Sequence, residues 1–64
     1  MTQNIPEWIQ WIAQDEDGQW WGYEAEPHES ERGWYENEVG RLIRLNKEDQ
    51  NPHWRLSLQR IIKT

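Results

Sequence analysis

Three features of this chain predict a small α+β fold, mostly β. Apolar residues alternate on both sides of Asp15-Glu16-Asp17-Gly18, six tryptophans stand where phenylalanine is absent, and Asn51-Pro52 precedes a periodic apolar run. They predict a small antiparallel sheet of three or four strands with a short C-terminal helix, in one domain spanning residues 1–64. At 64 residues there is no room for a second domain. A chain this short buries only about 60% of its unfolded surface, so its margin of stability is thin.

The first element is a hairpin. Ile9, Trp11 and Ala13 alternate with Gln10, Ile12 and Gln14, and Trp21, Tyr23 and Ala25 alternate with Trp20, Gly22 and Glu24. Asp17-Gly18 between the two runs supplies the positive φ that a tight hairpin needs. Ile5, Trp8, Ile9 and Ile12 also fit helical spacing. β-branched and aromatic enrichment beside a turn signal favours a strand from about residue 9, with a turn over Pro6 to Trp8. Pro27 ends the second strand, because proline cannot donate to a ladder. Residues 28–32 read as polar loop, Gly33-Trp34-Tyr35-Glu36 as a third short strand, and Val39 to Leu45 as a fourth. On that fourth strand Val39, Arg41, Ile43 and Leu45 share one face. Asn51 as N-cap and Pro52 at the first helical position then predict a helix that packs on the sheet through Trp54 and Leu58. Trp54, Leu56 and Leu58 fit strand alternation equally well.

Leu, Ile and Val total eleven residues, below the roughly 20% mark associated with disorder. The aromatics reverse that inference, since each offers about 150–250 Å² of buriable surface. Trp11, Trp21, Tyr23, Ile43 and Leu58 are the expected core. A core of this size rarely yields more than about 3–5 kcal/mol, which makes a homodimer an expectation.

Charge is segregated along the chain. Residues 15–38 hold nine acids against Arg32 alone, whereas 39–64 hold six basic residues against Glu48 and Asp49, within a net charge of -5. The absence of cysteine excludes disulfides, and His28 and His53 lack a zinc-finger spacing. No apolar run reaches membrane-spanning length. The start of the chain lacks a signal-peptide pattern, so the cytoplasm is the expected compartment.

Asp15, Asp17 and Glu24 align with three calcium ligands of an EF-hand when Gly18 takes the glycine position, but Ala13 then occupies the first ligand site and no helices flank the loop. No metal and no cofactor are therefore expected. Ser30 and Ser57 lack a positioned base with an orienting third group, and His28 is only a loop neighbour of Ser30. The chain is not expected to be an enzyme. Trp20 and Trp34 face opposite to their core neighbours, so at least one is expected at the surface. Glu24 with Glu26, and Glu36 with Glu38, would lie about 6.6–7 Å apart on one strand face. Trp20, Glu24, Glu26 and Trp34 are accordingly the expected binding residues, offered to a partner with a basic surface. Mimicry of nucleic acid is a sharper form of the same idea. Trp54 with Arg55 and Arg60 forms the alternative, a nucleic-acid or nucleotide site.

The pattern Trp11-Ile12-Ala13-x-Asp15-x-Asp17-Gly18-x-Trp20-x-x-Tyr23-Glu24-x-x-Pro27, followed by Trp34 and by Pro52-x-Trp54-x-x-Ser57-Leu58, resembles a group of small proteins encoded by tailed bacteriophages and prophages. The resemblance spans residues 6 to 60. His28 to Arg32 and Lys47 to Gln50 depart from it as variable loops. The resemblance implies a phage or prophage origin and work inside a bacterium, more than a mechanism. From the acidic, tryptophan-bearing surface the chain is expected to be a cytoplasmic accessory protein that binds a host or defence protein without catalysis.

Overall fold

The computed structural model describes residues 5–36 and 40–61. Six strands follow in chain order: β1 (Trp11–Gln14), β2 (Gln19–Tyr23), β3 (His28–Glu29), β4 (Trp34–Tyr35), β5 (Leu42–Lys47) and β6 (Gln59–Arg60). Four of them form an antiparallel sheet in the order β5-β2-β1-β6, while β3 and β4 form a separate two-stranded hairpin.

The β1–β2 hairpin forms where the sequence places it. Trp11 lies opposite Tyr23 and Gln14 opposite Trp20. Gly18 has φ +94, and its N–H closes the turn on the Asp15 carbonyl at 2.9 Å. The Asp15 N–H donates to the Gln19 carbonyl, as in a three-residue hairpin loop. Gly18 is required for a second reason: a Cβ there would lie 2.6 Å from the Asp49 carbonyl oxygen and would also strike that of Glu48. The expected turn after Pro6 is present, closed by the Ile9 N–H on the Pro6 carbonyl. It swings Ile9 over Gly22, where only hydrogen leaves room, since a Cβ would meet Ile9 Cδ1 at 2.5 Å.

Two strands differ from expectation in extent. His28 and Glu29, expected in a loop, pair with Tyr35 and Trp34. β5 begins at Leu42, and its alternation breaks at a bulge opposite Trp20, because Gln19 faces Lys47 while Trp21 faces Arg44. The Gln19 side-chain amide donates to the Leu45 and Asn46 carbonyls at 2.7 and 3.2 Å, which satisfies groups that the bulge displaces. Val39 and Glu38 lie outside the described residues.

No C-terminal helix forms among the described residues. Asn51 does initiate a turn, its side-chain oxygen accepting from the His53 N–H at 2.9 Å. Only a 3-10 turn follows, Trp54–Leu56, before the chain extends into β6. Ser57 ends the turn by donating its hydroxyl to the Trp54 carbonyl at 2.6 Å. A helix would leave the outer edge of β1 unpaired, whereas the extended chain supplies partners for Trp11 and Ile12. Neither spacing holds over residues 54–58: Trp54 is buried, Leu56 is exposed and Leu58 is half-buried, and the chain becomes a strand only at Gln59.

The buried apolar core consists of Ile9, Ala13, Tyr23 and Trp54. Tyr23 is as expected. Trp11, Trp21 and Leu58 are only half-buried, and Ile43 is 38% exposed on β5, which has no neighbour on its outer side among the described residues. Trp54 takes the central place instead, meeting Trp34 edge-on with ring centroids 6.1 Å apart.

A buried polar residue, Gln14, ties these parts together. Its backbone N–H donates to Ser57 Oγ at 2.8 Å, and its carbonyl accepts from the Trp34 indole at 3.0 Å. Its side chain donates to the Gly18 carbonyl and accepts from Asn51 Nδ2. Gln14→Ala removes one of the two bonds to the Gly18 carbonyl, which keeps the Glu48 N–H, and strands the Asn51 amide, a loss of about 1–3 kcal/mol. Urea denaturation should show that loss, whereas Gln10→Ala at an exposed position just before β1 should stay within about 0.5 kcal/mol of the parent. Equal midpoints for the two variants would contradict the role assigned to Gln14.

Candidate functional site

The structure does not gather the four expected binding residues into one surface. Trp34 turns inward, with its indole N–H on Gln14 and its ring against Trp54. Glu24 lies beyond the end of β2 and is held by Arg41, whose backbone N–H and Nε both donate to Oε1 at 2.9 and 3.3 Å while Nη2 donates to Oε2 at 3.1 Å. These side-chain hydrogen bonds to the guanidinium hold the Glu24 carboxyl below its ordinary range. Glu26 is exposed in the same irregular stretch. Glu24 and Glu26 are thus not alternate residues of a strand, and the spacing argument for nucleic-acid mimicry fails there. Glu38, of the second such pair, lies outside the described residues.

Trp20 keeps its place beside acids, but different ones. Its indole N–H donates to Glu48 Oε1 at 3.0 Å. The Glu48 N–H donates to the Gly18 carbonyl at 2.9 Å, and the Asn51 N–H reaches the Glu16 carbonyl. These bonds dock the 48–51 loop on the β1–β2 turn. Exposed Glu16 and Asp17 therefore lie at the same end of the sheet as exposed Glu48 and Asp49, next to half-buried Trp20. Glu16, Gln50, Asn51 and Pro52 line an open cavity of about 510 Å³ there. The pair Glu48-Asp49 is visible in the sequence as the two acids of a basic segment. Its neighbours in space are not.

Elsewhere the segregated charges recombine. Glu24–Arg41 at 3.1 Å, Asp17–Lys47 at 3.9 Å and Glu29–Arg55 at 2.9 Å each join the acidic half of the chain to the basic half. Exposed pairs of this kind contribute about 0–1 kcal/mol each. Four arginines also cover tryptophans: Arg41 lies 4.6 Å from the Trp8 ring centroid, Arg44 5.5 Å from Trp21, Arg55 4.4 Å from Trp54 and Arg60 5.6 Å from Trp11. At such distances each contact adds about 0.5–1 kcal/mol at an exposed site. The alternative nucleic-acid site loses its platform, because Trp54 is 1% exposed and Arg55 is engaged with it and with Glu29.

Asp15 fastens the β3–β4 hairpin to the sheet. Its Oδ1 accepts the Trp34 N–H at 2.9 Å, and the Glu16 N–H donates to the Arg32 carbonyl at 3.1 Å. Gly33 fits because a Cβ there would lie 2.5 Å from Asp15 Oδ1. Burial raises the Asp15 carboxyl above its ordinary range, against the lowering effect of the Trp34 N–H. Burial likewise pushes the Tyr23 hydroxyl up, with the Asp15 charge adding to it.

Among the described residues no three of His, Asp and Glu form a metal-holding group, and no helix is long and apolar enough to cross a membrane. Comparison of the chain with protein-family models, curated proteins and solved structures gave no match.

The Tyr23 environment fixes how stability responds to alkali. Above about pH 10 the unfolded chain releases the Tyr23 proton while the folded protein retains it, so stability falls as pH rises, by up to about 1.4 kcal/mol per pH unit from this group. Urea denaturation between about pH 9 and 11.5, read against Tyr23→Phe, checks this. The variant should show a shallower decline, and an identical slope would remove Tyr23 as its source.

Proposed function

We propose that this protein is a small phage or prophage accessory protein that binds and modulates a host or defence protein in the bacterial cytoplasm, without catalysis. The observation that carries the reading is the position of Trp20 among Glu16, Asp17, Glu48 and Asp49. An aromatic anchor inside a polar, solvent-accessible rim is a common arrangement at protein interfaces, and here the rim is acidic. Of these acids Asp17 has a basic neighbour, Lys47, at 3.9 Å, so most of the negative charge at this end faces outward. A partner with a basic surface would be drawn to it quickly at low ionic strength. The net charge of -5 keeps so small a chain soluble meanwhile.

The test is affinity capture from a phage-infected bacterial lysate, with bound proteins identified by mass spectrometry. Capture should weaken steeply with salt, since exposed charges are screened within about 10 Å at 0.1 M. Glu16→Lys with Asp49→Lys should abolish it while leaving the melting temperature nearly unchanged. Salt-insensitive capture, or full capture by the double variant, would refute the reading.

A further inference from the structure

β5 is the longest strand of the sheet and lies at its edge, with five of its six residues exposed. The opposite edge is β6, a strand of only two residues. There β6 pairs with Trp11 and Ile12, and Ser57 and Trp34 take up the backbone groups of Gln14 beyond it. Among the described residues nothing pairs with the outer side of β5.

The ladder identifies which backbone groups are open. The Glu24 N–H donates to the Arg41 carbonyl at 2.9 Å, so these residues form a hydrogen-bonded pair. Such pairs alternate along an antiparallel ladder. Ile43 therefore turns its N–H and C=O toward Gly22, and Leu42 and Arg44 turn theirs outward. Around these groups Leu42 is 48% exposed and Ile43 38%. Open polar groups flanked by apolar side chains make a template for another strand.

The order of charges along the segment selects that strand. Arg41, Arg44 and Lys47 come first, and Glu48 and Asp49 follow. An antiparallel copy reverses the order, so the basic start of each segment faces the acidic end of the other on both sides of a two-fold axis. A uniformly acidic or basic strand would match only half of the segment and be repelled by the rest. We propose that β5 pairs antiparallel with β5 of a second copy of this chain, joining two four-stranded sheets into one of eight strands. So short an interface falls in the small, weak class.

Sedimentation equilibrium of the purified protein, from micromolar to millimolar concentration, tests this. The apparent mass should rise from 7.9 kDa toward twice that value. Two charge variants identify the surface: Arg44→Glu alone, and Glu48→Lys with Asp49→Lys. Each should remain monomeric by itself, and an equimolar mixture should associate again, because the mixed pair restores opposite charges at both ends. Near-UV circular dichroism confirms that each variant is folded. Slow amide exchange at Leu42 and Arg44 should appear only in the dimer. A monomer at every concentration, or a dimer indifferent to both variants, would overturn the proposal. So would Leu42 and Arg44 amides slowed only by a captured partner, which would assign the edge to that partner. Glu48 and Asp49 also belong to the surface proposed for partner binding, but sedimentation contains no partner, so the two readings fail separately.

Discussion

The buried amide of Gln14 is the constraint on which the other parts depend. It is buried at the end of β1, and its polar atoms reach the hairpin turn through Gly18 and the 48–51 loop through Asn51. Its backbone meets Ser57 and Trp34. Four separate pieces of chain thus take their positions from one residue. Among the described residues no buried side-chain nitrogen or oxygen lacks a partner. Satisfied polar networks of this sort specify one arrangement where a small apolar core would tolerate several.

Apolar area is scarce in this chain, and the fold extends it with arginine. Four rings carry a guanidinium, three of them on the half-buried Trp8, Trp11 and Trp21. The aliphatic stem shields apolar surface while the charged head stays in water. The same residues counter the acidic half of the chain, as Arg41 does at Glu24 and Arg55 at Glu29. The segregation of charge along the sequence is therefore in part a set of pairings seen before folding. The end of the sheet near Trp20 keeps an excess of acids after folding.

The hairpin is legible in the sequence because its signals are local: alternation, Asp17-Gly18 and the proline boundaries act within a few residues. The C-terminal segment is not, because Asn51-Pro52 announces a turn and only the open edge of β1, some forty residues away, decides that an extended chain follows it. The core is half legible. Tyr23 can be read from alternation, but burial of Trp54 depends on the β3–β4 hairpin, whose docking relies on Asp15 and Gly33. For the candidate site, alternation finds Trp20 but not its acidic surroundings. Glu24 cannot be read without Arg41, nor Glu48 and Asp49 without the turn they cover.

The closing of β1 by β6 bears on the order in which the protein can fold during synthesis. The outer edge of β1 is covered by Ser57, Gln59 and Arg60, and 43 positions separate Gln14 from the serine that meets its backbone. A nascent chain that has not reached Ser57 exposes the Gln14 N–H together with the Trp34 ring that Trp54 would cover. The hairpin can form early, because its contacts are local, but sealing of the sheet waits for the ribosome to deliver residues 57–60. Until Arg41 and the basic residues after it are made, the acidic half of the chain carries its charge unmatched, and that charge keeps nascent copies apart.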